Sequence, residues 1–330
     1  MSDVHTLLPY GWNHQELPAG TAPARVIRHD GALLQIVAAD GIRTIRTPAG
    51  LAVTVGDWLA LDGMLVDCVL PRRSLLRRLD VDVDRAQELA ANIDVVLIAL
   101  GVDRPVKPGR IHRSVALAWD AGATPVIVLT KTADAAAPDL RGLRAQHPGV
   151  DVIATSALEG IGLDELRAAI GSGTAVLLGE SGAGKSTLVN ALLGHDVADT
   201  GGVRGDAKGR HTTTARQLHP LPGGGVIIDT PGIRAVGLFT DAAAVDAAFD
   251  DLASLADQCR FTDCGHQSEP GCAVRAAVDA GELPAERYDA WRHLQREVAS
   301  AAMRATPGAQ HAYVRQFGRA AKTALKHKRG

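Results

Sequence analysis

The chain has 330 residues, with 35 Lys or Arg against 37 Asp or Glu and 46% hydrophobic residues. That length exceeds one typical core and points to two or three domains, and a net charge of −2 excludes a chain that is basic throughout, leaving any nucleic-acid contact to local patches. No apolar run nears the ~20 residues of a membrane helix and no basic-then-apolar leader opens the chain, so the expectation is a cytoplasmic protein without a membrane partner.

Residues 1–22 are polar, broken by Pro9, Gly11, Pro18 and Gly20, and read as a flexible lead-in. From 23 to 71 come short apolar and β-branched runs (25–27, 33–37, 44–45, 51–55, 58–61 and 64–69), separated by turn signals such as Asp30-Gly31, Asp40-Gly41 and Asp62-Gly63. About five strands in so short a span predict a small OB-fold-like β-barrel. Trp58 is the single aromatic residue between 24 and 70, so contact with nucleic acid there would run through charge and shape, not base stacking. A barrel that serves only as a packing module is the competing reading. Cys68, alone in its run, is expected to be buried. Arg72, Arg73, Arg77 and Arg78 follow Pro71 as a basic patch or a solvated linker.

From 72 to 237 strand and helix patterns alternate. Buried strands are predicted at 94–100, 125–129 and 150–154 and helices at 111–121, 140–146 and 163–170, which makes a doubly wound, mostly parallel α/β sheet. The apolar run 175–178 then ends at Gly179, and Gly179-x4-Gly184-Lys185-Ser186 opens a helix through Leu188, Val189 and Leu192. Strand, glycine-rich loop and helix together specify a phosphate-binding P-loop. Its residues are Gly179, Glu180, Ser181, Gly182, Ala183, Gly184, Lys185, Ser186 and Thr187; backbone N–H groups and the helix N-terminus face a polyphosphate, Lys185 reaches the β- and γ-phosphates, and Ser186 holds Mg²⁺. Three strands precede this loop, whereas a P-loop domain ordinarily starts with it.

Residues 194–214 are rich in Gly, Asp and Thr and read as a mobile loop at the phosphate end. Residues 226–229 form an apolar strand ending at Asp229, on the carboxyl edge where parallel sheets bind ligands. Asp229 is placed to reach the same Mg²⁺, and Gly232 to offer an N–H to the γ-phosphate.

Between 238 and 330, one amphipathic helix is predicted over 241–258. Cys259-x4-Cys264-x-His266-x5-Cys272 follows, four soft ligands in one short loop. Three thiolates and an imidazole close a tetrahedral Zn²⁺ site with no open position, hence a structural metal. Helical patterns run over 274–280 and from 285 to about 303. The tail 310–330 holds six Lys or Arg and no acidic residue, a second basic patch or a frayed end.

Five segments now stand together: Thr130-Lys131, Thr155-Ser156-Ala157, Gly179 to Ser186, His211-Thr212-Thr213-Thr214 and Asp229-Thr230-Pro231-Gly232. They resemble the guanine-binding and phosphate-binding motifs of a GTPase with the two guanine motifs moved to the front, a circular permutation. With the barrel before them and the zinc loop behind, residues 24–300 resemble the bacterial ribosome small subunit-dependent GTPase family (RsgA, YjeQ). Gly209-Arg-His-Thr-Thr-Thr and Cys259-Arg-Phe-Thr-Asp-Cys-Gly-His with Glu269-Pro-Gly-Cys carry that likeness most specifically. The resemblance implies a GTP phosphohydrolase that binds the immature small ribosomal subunit and its rRNA, binds GTP or GDP with Mg²⁺, hydrolyses GTP when stimulated by the subunit, and acts as a monomer. It further implies Thr130, Lys131, Ser156 and Ala157 at the base, Thr213 on Mg²⁺, and Lys185, His211, Thr213 and Asp229 in catalysis. Two departures stand out. The carboxylate of the family's Asn/Thr-Lys-x-Asp motif is displaced by one place, to Asp134 behind Ala133, and Ile233 follows the Asp-Thr-Pro-Gly segment where many GTPases carry a water-orienting glutamine, which leaves that task to His211. A P-loop ATPase or kinase of another class, or a structural RNA-binding protein with a passive nucleotide, are the competing readings.

Overall fold

Five strands account for the N-terminal runs: β1 (Ala22–Asp30), β2 (Leu33–Ala38), β3 (Gly41–Arg46), β4 (Trp58–Asp62) and β5 (Leu65–Val69). They belong to a computed structural model that describes residues 4–80, 85–105, 108–133, 139–196, 216–229 and 242–305. All pair antiparallel, β1 lying between β2 and β4, and a bulge between Val26 and Arg28 bends β1 so that it reaches both. Alternate side chains (Val26, Leu34, Ile36, Leu59 and Leu61) fill the interior, as an OB-like barrel requires. The run 51–55 is buried at Val53 and Val55 but makes no strand. Its backbone is diverted locally, because the Asp57 carboxylate accepts the Thr54 N–H at 2.8 Å in place of a neighbouring strand. Cys68 is half-buried, not enclosed.

The lead-in is anchored. Residues Val4–Tyr10 form a 3₁₀ helix, Leu7 is fully buried, and the Trp12 ring lies 4.7 Å from that of Trp58. Trp58 is thus buried under Trp12, on the face of β4 opposite the barrel interior, and offers no stacking face. Beneath it the Arg25 guanidinium, 1% exposed, sits 5.1 Å from the Trp58 ring and donates to Thr174 Oγ1 at 2.8 Å and to the Tyr10 carbonyl. Burial pulls this guanidinium down to about 9, with Asp94 opposing, so it remains a cation at neutral pH.

The arginine cluster is ion-paired with acidic groups of the fold. Arg72 clasps both oxygens of Asp57 at 2.7 and 2.8 Å and Glu88 at 2.9 Å, Arg73 pairs with Asp94 at 3.2 Å, and Arg77 lies 3.6 Å from Asp120. Three of the four arginines are therefore committed within the fold. Arg72 and Arg73 precede, and Arg77 and Arg78 lie within, the first strand of a two-stranded ribbon, β6 (Leu75–Asp80) and β7 (Arg85–Ala91), which the charged sequence hides.

The alternating segments become β8 (Val95–Gly101), α1 (Pro108–Asp120), β9 (Thr124–Thr130), α2 (Leu140–Gln146), β10 (Asp151–Ala154), α3 (Leu163–Ile170), β11 (Thr174–Gly179), α4 (Lys185–Leu193), β12 (Gln217–Pro220) and β13 (Val226–Asp229). Strands β10, β9, β8, β11 and β13 run parallel in that order, and β12 follows antiparallel to β13. Every residue of β8 is buried, as befits a strand covered on both faces. Chain order reverses between β8 and β11, so the loops after these strands face each other across the sheet's switch point, where doubly wound folds bind ligands. The pairing continues past β12 into the barrel through Arg28 and Gln217.

The chain divides into two compact units, Met1–Arg78 with Gln87–Val236 forming the first and Leu79–Ala86 with Gly237–Gly330 the second. In the second unit the helix expected over 241–258 is two, α5 (Ala242–Ala248) and α6 (Asp250–Ala256), followed by α7 (Ala273–Asp279) and α8 (Ala285–Ala305). The break falls at Phe249, whose backbone leaves the helical region at φ −131° while its ring is fully buried. Arg287 of α8 covers that ring at 4.7 Å and clasps the partly exposed Asp251 at 2.5 and 2.7 Å, fixing α8 against α6.

Candidate functional site

The P-loop lies between β11 and α4, and its glycines set the conformation at the helix entry. Gly184, the N-cap of α4, sits at φ +80°, a left-handed conformation costly for any residue with a Cβ. That turn aims the unpaired N–H groups of the first α4 turn, where Ser186 and Thr187 are half-buried, back across the loop. Lys185 is 9% exposed, and its Nζ donates to the Gly179 and Glu180 carbonyls at 2.9 and 2.7 Å, so the ammonium spans the loop. Burial lowers its pKa and the Asp229 carboxylate opposes that shift, which puts the end of β13 in electrostatic contact with the P-loop lysine. Glu180 pairs with Arg110 of α1.

The two guanine-type segments meet this loop from β9 and β10. Thr130 is buried and donates its hydroxyl to the Ala183 carbonyl at 2.6 Å. Lys131 follows at φ +62°, a left-handed lysine. Its Nζ is held by Asp103 Oδ2 at 2.8 Å. The Thr155 hydroxyl and amide both donate to Leu129 O, at 3.0 and 2.7 Å, pinning β10 to β9. Ser156 is buried and Ala157 half-buried. Beyond them Ala157 and Leu158 on one side and Thr187, Asn190 and Ala191 of α4 on the other line an open cleft of about 630 Å³. The structure thus brings Thr130, Lys131, Ser156 and Ala157, residues 179–187 and Asp229 to one edge of one sheet. Asp134, His211, Thr213 and Gly232 lie outside the described residues.

Three participants escape the local sequence pattern. Asp103 and Arg104 lie in the loop after β8 and Arg110 in α1, all against the P-loop or Lys131. The usable signal was topological, since the loop after β8 flanks the switch point.

The second site is the Cys-His loop. Ligand atoms of Cys259, Cys264, His266 and Cys272 all lie within 4.8 Å of one another. The Sγ atoms of Cys259 and Cys272 are 3.9 Å apart, and each is 3.5 Å from His266 Nδ1. Tetrahedral Zn²⁺ with ~2.3 Å Zn–S and ~2.0 Å Zn–N bonds asks for spacings of about 3.8 and 3.5 Å, so the donors fit that ion in chemistry and in distance. Supports surround them: Glu269 accepts the N–H groups of Gly265, Gln267 and Ser268 at 3.0, 2.7 and 3.0 Å, Tyr288 donates to His266 O at 2.5 Å, and Trp291 packs 5.2 Å from the imidazole. Burial, with Arg292 nearby, lowers the His266 pKa and favours the neutral ring a metal requires.

Comparison with known proteins agrees with this architecture. The RsgA GTPase family model matches residues 69–239. The chain is 43% identical to the small ribosomal subunit biogenesis GTPase RsgA of Streptomyces coelicolor, over 100% of this chain and 97% of that protein. It is 45% identical to the protein of the same name from Xanthomonas axonopodis pv. citri, over 78% and 72%. Among solved structures, YjeQ from Thermotoga maritima superposes with a TM-score of 0.64 at 26% identity, covering 84% of this chain and 99% of that one. YloQ, titled a circularly permuted GTPase, shares the fold with a TM-score of 0.63 at 20% identity, over 88% and 98%.

Proposed function

The chain belongs to the RsgA GTPase family, and from that premise we propose that it binds the small ribosomal subunit during its biogenesis, as its relatives' name has it, and hydrolyses GTP there. The observation that carries this reading is the convergence of two base-side loops and one phosphate loop on a single crevice, joined by the Thr130–Ala183 bond. An open cleft of about 630 Å³ beside α4 is large enough for a nucleoside.

In this reading residues 179–187 wrap the phosphates, Lys185 exchanges its two carbonyl partners for phosphate oxygens, and Ser186, Thr213 and Asp229 provide the oxygen donors for Mg²⁺. That donor set suits the hard cation, whose chemistry is to neutralise charge on the phosphates. Thr130, Lys131, Ser156 and Ala157 frame the base, and Asp134 accepts its N1 and exocyclic-amine hydrogens. His211 orients the attacking water in place of the glutamine that Ile233 replaces, and Gly232 donates its N–H to the γ-phosphate. Docking on the subunit stimulates turnover.

One structural Zn²⁺ held by Cys259, Cys264, His266 and Cys272 braces the C-terminal unit. With Arg72 held by Asp57 and Glu88, contact with rRNA falls to other basic groups, the exposed Arg73 and the 310–330 tail among them. The protein works as a cytoplasmic monomer. No helix among the described residues is long and apolar enough to cross a membrane. Titration of labelled GDP against competing GTP and ATP tests the reading: GTP competes and ATP does not, and Lys185→Ala removes binding. Equal competition by ATP would count against it.

A further inference from the structure

The loop after β8 touches both halves of the candidate site. Arg104 donates from its two terminal nitrogens to the carbonyls of Ser181 and Gly182, at 3.3 and 3.4 Å. Its Nε lies 3.5 Å from Asp103 Oδ1, while Asp103 Oδ2 takes the Lys131 ammonium at 2.8 Å. Space around this assembly is tight. A Cβ on Gly182 would meet the Arg104 guanidinium at 2.9 Å, and one on Gly101 would meet Asp103 Oδ1 at 2.5 Å.

In a trans peptide the C=O of one residue and the N–H of the next point in opposite directions. The carbonyls that Arg104 holds are therefore the outer ends of the peptide units whose inner ends are the N–H groups of Gly182 and Ala183. The Ala183 N–H meanwhile closes a turn on Glu180 O at 3.2 Å. A cation on the outer ends polarises both units, strengthening the Gly182 N–H toward an anion and the Ala183 N–H in the turn it closes. On the base side, a left-handed lysine is strained by roughly 1–2 kcal/mol and keeps that conformation only where its surroundings hold it. Backbone bonds on either side hold it, Val102 N–H to Thr130 O at 3.2 Å and Thr132 N–H to Thr155 O at 3.3 Å, while the Asp103 carboxylate fixes where the ammonium lies; the ammonium, with Arg104 behind it, keeps that carboxyl below its usual range.

We infer that Asp103 and Arg104 are positioning residues for the guanine nucleotide: one carboxylate and one guanidinium, both from the loop after β8, set the P-loop donors and the base-side lysine in register with each other. This rests on the guanine-nucleotide reading given above.

The experiment is a double-mutant cycle on the full chain, read as affinity for fluorescent GDP, with thermal melting of the nucleotide-free protein as the check on folding. Arg104→Gln and Asp103→Asn each weaken GDP about tenfold, the scale of a charge-assisted hydrogen bond. Because the residues act as one unit, the double variant is little worse than either single one. Wild-type affinity in Arg104→Gln, or losses that multiply independently in the double variant, would overturn the inference while leaving the guanine-nucleotide reading intact. If Arg104→Gln melts early, Arg104→Lys decides: a lysine keeps the charge but lacks the planar fork that reaches both carbonyls while its Nε faces Asp103, so weaker GDP binding is expected and wild-type affinity would refute the role. Absence of GDP binding by the wild-type chain would instead remove the guanine-nucleotide reading, and the inference with it.

Discussion

The Thr130 hydroxyl and the Ala183 carbonyl, 2.6 Å apart, join the end of β9 to the loop after β11 in the interior of the crevice. Residues 53 positions apart in the chain thereby hold the base side and the phosphate side of the site at fixed separation. A buried hydrogen bond of this kind contributes about 1 kcal/mol net, and more when its loss strands an acceptor. Thr130→Val keeps the shape and removes the donor. We expect GDP affinity to fall about fivefold to tenfold with little change in helix content. Titration with fluorescent GDP checks this, and unchanged affinity would show that the two loops keep their spacing without the bond.

Asp57 and Arg72 set a pH dependence. The Asp57 side chain is 0% exposed, and its pKa is raised, because burial outweighs the Arg72 hydrogen bonds that pull it down. Arg72→Met removes that counterweight, so the carboxyl rises further. Below its ordinary value of 3.8 the group is protonated in both folded and unfolded chains, and loss of its ionic partner costs little. As pH rises through the raised folded pKa, the unfolded chain ionises freely while the folded one must bury an uncompensated charge, and the variant loses stability. The deficit grows toward neutral pH to about 3–5 kcal/mol. Urea midpoints of wild type and variant, compared at about pH 4.5 and pH 7, test the sign; a gap that narrows toward neutrality contradicts it.

For the Cys-His loop the expectation is that metal holds the second unit together. Zinc binding to three thiolates and an imidazole supplies about 10 kcal/mol or more of folding free energy in small modules. Cys264→Ser, or a strong chelator, then exposes α7 and α8 to rapid hydrogen exchange, while β8, β9, β11 and β13 keep their protection. Full zinc content with unaltered exchange in Cys264→Ser would rule out the structural role.

The sequence displayed the parallel sheet well, since β8, β9 and β11 are unbroken apolar runs and α2 and α3 have clear periods and boundaries. The Gly179–Ser186 spacing and the Cys-Cys-His-Cys set were equally plain, because loops that wrap a phosphate or an ion draw their ligands from one short stretch. What stayed hidden depends on partners distant in the chain. Arg72, Arg73 and Arg77 read as a basic patch or a solvated linker, yet each pairs with a carboxylate distant in the chain, Asp57, Asp94 and Asp120. Residues 51–55 have strand composition, but the Asp57 side chain takes the Thr54 amide first. The pattern over 241–258 suits one helix, and only the burial of Phe249 under Arg287 divides it. Asp103 and Arg104 show no motif at all; their position at the switch point between β8 and β11 exists only once strand order is known.

Turnover of GTP with and without purified small ribosomal subunits tests the central claim most directly. The account predicts slow hydrolysis by the chain alone, a large stimulation by small subunits and none by large subunits, with stimulation lost in Lys185→Ala and in His211→Ala while the latter still binds GDP. Equal turnover with and without small subunits, or the same stimulation with ATP, would contradict it.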